Sequence, residues 1–151
     1  MSRKFAISLV VVLAVGIFAA VACLQAAETD AAYQAMVAGA KQMMEGNKKV
    51  MEIMAKKGMK DDELTAAEKM MTEGFDMITK GEGMLATNRA EAQKMASQGG
   101  KMMLDAQKKT EAAVEKKGMT QVCAIDLSEC HTGGEQIKKG ALDWFFGSAG
   151  Y

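Results

Sequence analysis

The sequence predicts an all-α protein: a Met-rich helical bundle or coiled-coil hairpin of three to four helices behind an N-terminal signal peptide. Three observations carry this expectation. The chain of 151 residues contains no proline, so no ring interrupts a helix anywhere along it. Alanine, lysine, glutamate, glutamine and methionine dominate, all good helix formers, with no period-two alternation of β-branched residues. The 15 methionines recur at seven-residue spacing. Met36, Met43 and Val50 form one such series, and Val37, Met44 and Met51 another. Met70, Met77 and Met84 repeat by seven beside Met71, Ile78 and Leu85, and Met95 and Met102 continue the habit. A seven-residue repeat lays side chains along one helix stripe that faces a partner helix.

Taken in chain order, the first element is the N-terminal segment. Arg3 and Lys4 precede the uncharged run FAISLVVVLAVGIFAAVACLQA. A positive start, an apolar stretch and small residues at its end make a secretory signal, residues 1–27, with cleavage after Ala22, Ala26 or Ala27. AAVAC, ending at Cys23, resembles a bacterial lipobox, although Ala20 stands where that motif usually carries leucine. The resemblance implies a signal of residues 1–22, with Cys23 acylated and the rest anchored beside a membrane.

Residues 28–120 then read as a Met/Ala/Lys-rich helical region. Thr29 or Asp30 is placed to cap a first helix ending near Lys57, where Lys56, Lys57 and Gly58 supply charge and a left-handed terminus. Thr65 with Glu68 makes a capping box for a second helix. KGEG at 80–83 is a candidate stop, with one continuous rod through it as the alternative. Asn88 with Glu91 marks a third start, and a second KKG at 116–118 marks its end. Residues 121–151 form a Cys-containing loop and a short aromatic helix capped by TGGE at 132–135. Ile137, Ala141 and Phe145 share one face of that helix, as a plug docking on the bundle. The stretches 41–59, 68–84 and 100–119 each hold a Met-Met pair and end in Gly-Met, which suggests three stacked helical units.

Small residues keep the seven-residue spacing too: Gly39 and Gly46, then Ala67, Gly74 and Gly81. They permit close backbone approach, at a helix-propensity cost of about 1 kcal/mol per glycine. Methionine therefore reads first as the core residue of a soft bundle. Its thioether is also a soft donor suited to Cu(I). Met51 with Met54, or Met36 with Met43, are the candidate copper ligands.

VCAIDLSECHTGG at 122–134 carries Cys123, Cys130 and the only histidine, His131. In an oxidising compartment two cysteines tend to pair. A Cys123–Cys130 disulfide would require a non-helical loop, because seven residues of helix separate two atoms by about 10 Å. A Cys/His metal site, with zinc or copper, is a second reading. The Cys-His pair also resembles the cytochrome c-prime type, exported helical bundles with a C-terminal Cys-x-x-Cys-His. The likeness lies in compartment, size, class and position, with a gap of six residues here in place of two. It implies haem c on Cys123 and Cys130, His131 as one axial ligand, a methionine as the other, and Trp144, Phe145 and Phe146 as walls.

Neither a His-Glu-x-x-His, nor a phosphate-binding glycine loop, nor a nucleophile elbow occurs. Without Arg3 and Lys4, 17 basic residues of 19 remain against 19 acidic ones, too even a balance for a nucleic-acid footprint. The expectation is an exported, non-enzymatic envelope protein, periplasmic or surface-associated, with a structural or protein-interaction role. It would hold no cofactor and would meet a protein partner or a second copy. A redox or metal carrier with haem or copper is the alternative.

Overall fold

The computed structural model describes the backbone of residues 3–59 and 61–147 and the side chains of residues 30–59 and 61–144. Four helices follow in order: α1 (Arg3–Lys56), α2 (Asp62–Met84), α3 (Arg89–Lys116) and α4 (Ala124–Gly147). They form an all-α four-helix bundle. Neither Thr29 nor Asp30 begins a helix, since α1 runs through both. The N-terminal signal and Cys23 lie outside the described side chains. Among the residues whose side chains are described, no helix is long and apolar enough to cross a membrane.

The helix ends follow local chemistry. Gly58 and Gly118 adopt φ of 68° and 67°. Each closes a Schellman turn. The Gly58 amide donates to the Ala55 carbonyl and the Met59 amide to that of Met54. The Gly118 amide donates to Glu115 and the Met119 amide to Val114 in the same way. At the α3 start, the Asn88 side chain accepts from the Glu91 amide at 3.1 Å. The α2 start lies earlier than its capping box. Asp61 is the N-cap, accepting from the Glu63 amide at 2.8 Å, while the Thr65 hydroxyl bonds back to the Asp61 carbonyl. An Asp four residues upstream wins because Lys117 also pairs with it, at 2.9 Å. That Lys117 hydrogen bond and the Glu63 amide hold the Asp61 carboxyl below its ordinary range. KGEG does not stop α2, which ends at Met84, and a turn through Leu85–Asn88 rules out the continuous rod.

Packing is unequal. α1 lies chiefly against α4, and α2 chiefly against α3. Both seams are antiparallel and both are built on small residues one heptad apart. In the first, Gly39 faces Gly133, Gly46 faces Asp126 and Cys130, and Gly140 faces Ala32 and Met36. In the second, Gly74 faces Gly99 and Gly81 faces Ala92. The expectation of close approach at Gly39, Gly46, Gly74 and Gly81 holds. Between the two seams lie the large side chains. Tyr33, Met36, Met43, Met71, Ile78, Met103, Ile137 and Trp144 are buried in one cluster. A second cluster, nearer the two Schellman turns, holds Val50, Met54, Leu64, Val114, Met119 and Cys123.

The seams reveal a twofold repeat instead of three units. Adding 60 to a residue number in α1 lands on its counterpart in α3: Gly39 and Gly99, Lys41 and Lys101, Met43 and Met103, then KKGM at 56–59 and at 116–119. Adding 59 carries α2 onto α4: Gly74 and Gly133, Ile78 and Ile137, Lys80 and Lys139, Gly81 and Gly140. The α1–α4 seam is thus the counterpart of the α3–α2 seam. Each helical hairpin makes its tightest contacts with the other hairpin.

Candidate functional site

The segment singled out by its cysteines is helical. α4 begins at Ala124, and the Leu127 amide already bonds to the Cys123 carbonyl at 2.9 Å. Thr132 caps nothing. It lies inside α4, with its hydroxyl bonded to the Ser128 carbonyl at 2.9 Å. Cys130 lies in α4 and Cys123 immediately precedes its first residue, so the two sit one heptad apart, about 10 Å along the helix axis, and both are buried free thiols. The expected disulfide is overturned by this geometry. The reason lies in the repeat: Cys123 and Cys130 occupy the buried positions held by Leu64 and Met71 in α2. They serve as small apolar side chains. Cys130 Sγ fits against Gly46 and lies 3.4 Å from the Met43 carbonyl oxygen. Burial, with Glu111, Asp126 and Glu129 nearby, pushes its thiol up to about 12. Burial raises Cys123 as well.

The haem and metal readings fall on the same geometry. Covalent attachment needs both thiols and the histidine to reach one ring. Here Cys130 is 1% exposed on the inner face, while its neighbour His131 is exposed, its Nδ1 standing 3.5 Å from Gln107 Nε2. Among the described residues, no group of three or more His, Cys, Asp or Glu side chains is arranged to hold a metal ion. Trp144 is spent on packing, with its ring edge-on to Tyr33 at 5.0 Å. Phe145 and Phe146 lie outside the described side chains. Each pair of copper candidates stays within one cluster. Met36 and Met43 are buried in the first cluster and Met54 in the second, with Met51 half-buried beside it. Their sulfurs belong to the apolar interior, the role that heptad spacing assigned them first.

Several interior polar groups bond between helices. Tyr33 Oη donates to the Ile78 carbonyl at 2.7 Å, above Gly81, which leaves the room for it. Burial and the adjacent Glu82 raise that phenol to about 12. Thr110 Oγ1 donates to Asn47 Oδ1 at 2.8 Å, joining α3 to α1. Ion pairs lie on the surface, as Lys49 with Glu129 and Arg89 with Asp30, each at 2.7 Å.

A groove of ≈ 560 Å³ opens between α3 and α4. Its floor is apolar, with Met36, Leu104, Ile137 and Ala141 among its residues, and Lys101, Lys108 and Lys138 lie along it with Asp105. Leu142 also lines it and is 56% exposed. Sequence reasoning missed this groove. Its signal lies in the repeat: Met36, Val37, Ala40 and Glu82 in the first half correspond to Ala96, Ser97, Gly100 and Ala141 in the second. Every one of these changes in the second half removes side-chain volume.

The fold and the groove define a small four-helix bundle with a Met-rich interior and an apolar recess flanked by lysines. No family model, curated protein or solved structure matches the chain.

Proposed function

We propose that this chain is an exported, non-enzymatic protein of the bacterial envelope, periplasmic or surface-associated, with a structural or interaction role. The observation that carries the reading is the N-terminal pattern: Arg3 and Lys4, an uncharged apolar run, then small residues before the polar bundle. The bundle supports a role in binding over one in catalysis. Its interior is packed with apolar side chains, and among the described residues the large exposed apolar ones, Val122, Ile125 and Leu142, belong to α4 and the turn before it. Such residues suit contact with a protein partner or a second copy.

The test is fractionation of a bacterium expressing the full chain with a C-terminal tag, followed by intact mass. The expected product begins after Ala22, Ala26 or Ala27 and lies outside the cytosol. Acylation would appear as added mass on a chain beginning at Cys23. Unprocessed chain in the cytosolic fraction overturns the reading. A photo-crosslinking residue at position 125 should trap a discrete adduct in intact cells, and its absence argues against contact through α4.

A further inference from the structure

We infer that the groove between α3 and α4 is a binding site for a single-chain anionic amphiphile, a long-chain fatty carboxylate. The shape comes first. The groove follows α3 from Ala96 to Lys108, about 18 Å at 1.5 Å per residue. Its ≈ 560 Å³ lies within the range of about 300–1,000 Å³ typical of small-molecule sites. It is long, open along one side and floored by aliphatic side chains and a glycine, which suits an extended chain better than a compact ring.

Charge supplies the second argument. Lys101 and Lys108 stand one heptad apart on α3, with Leu104 between them at the floor, and Lys138 faces them from α4. Lys138 is itself paired with Glu135 at 2.6 Å. Asp105 is the lone carboxylate of the lining, against three lysines. An aliphatic floor under a cationic rim complements a molecule with an apolar body and an anionic end, and long lysine stems cover apolar surface while their ammonium groups stay in water. The internal repeat supplies the third argument. The lysine pair exists in both halves, as Lys41 and Lys48 and as Lys101 and Lys108. Only beside the second pair have Met and Glu given way to alanine, at positions 96 and 141. Glu82, the counterpart of Ala141, is held by Gln34 Nε2 at 2.7 Å.

The site stands independently of export, because it is read on purified full-length or processed protein. Titration calorimetry with laurate, below its micelle concentration, should show saturable one-to-one binding. Ala141→Glu, which restores the first-half residue at a half-buried position of the groove, should weaken it by about tenfold or more. Lys101→Glu with Lys108→Glu should do the same, whereas Lys41→Glu with Lys48→Glu should leave it unchanged. Dodecanol should bind more weakly than laurate, and the Lys101/Lys108 variant should not alter its binding. Circular dichroism on each variant separates loss of the groove from loss of the fold. Non-saturable uptake, an unaffected Ala141→Glu in a folded protein, or equal loss from the two lysine pairs overturns the assignment.

Discussion

Gly39 and Gly133 face each other across the α1–α4 seam so closely that a Cβ on either would meet the other's carbonyl oxygen. On Gly39 that contact would be 2.7 Å, with Gln136 Cβ equally near. These are rigid atoms, and the helices must separate to accept a methyl group. Gly133→Ala should therefore destabilise the bundle by about 1–3 kcal/mol, the range for overpacking. Gly83 is the contrast: it lies in α2 with nothing within 4 Å of its Cβ position. Gly83→Ala should stabilise by up to about 1 kcal/mol through helix propensity alone. Urea denaturation of the two variants should move the midpoint in opposite directions.

The paired turns allow an internal control. Gly58 and Gly118 hold nearly the same left-handed φ, and neither has an atom within 4 Å of a Cβ. The cost of alanine there is purely backbone strain, about 1–2 kcal/mol. Gly58→Ala and Gly118→Ala should lower the thermal midpoint by similar amounts, and the double variant should lower it by their sum.

The buried Thr110–Asn47 bond should be costly to break from one side. Thr110→Val keeps the shape but leaves Asn47 Oδ1 without its donor, at a cost of roughly 1–3 kcal/mol. Thr110→Ser should recover part of the loss. Chemical denaturation of the three proteins orders them.

Stability should fall at alkaline pH for a reason internal to the core. Cys130 is raised from 9.0 and Tyr33 from 10.0, both to about 12 and both chiefly by burial. Each is neutral when protonated. As pH rises above 9, the unfolded chain sheds these protons first, so the native state loses ground until the folded values are passed near 12. Below pH 9 the two groups contribute no slope. Denaturation midpoints measured from about pH 8 to about pH 11 should decline, and Cys130→Ala with Tyr33→Phe should flatten the decline.

The two thiols should behave as core residues. Iodoacetamide at neutral pH should leave Cys123 and Cys130 untouched in the folded protein and modify both in urea, as read by intact mass. Air oxidation of folded protein should not remove two hydrogens, since a helix holds the thiols apart.

Much of the bundle was legible in residue types and spacing, because helix ends and stripes are local. KKG ended α1 and α3, Asn88 began α3, and the Met36–Met43–Val50 stripe is buried. The places where local reasoning failed were decided by partners distant in sequence. Asp61 displaced Thr65 as the cap of α2 once Lys117 of α3 lay beside it. TGGE at 132–135 reads as a start, yet Gly133 and Gly134 lie inside α4 because α1 and α3 press on them. The two glycines weaken the helix locally by about 1 kcal/mol each, and close packing outweighs that.

By itself, then, the sequence determined the helical class, most helix ends and the apolar stripes, because propensity, capping and seven-residue spacing act within one or two turns. Tertiary structure alone decided which helices pair tightly, that Cys123 and Cys130 replace Leu64 and Met71 as packing residues, and that a groove opens between α3 and α4. Those outcomes depend on volumes meeting across the bundle. A missing side chain at Ala96 or Ala141 becomes a recess only when the opposing helix has nothing to fill it.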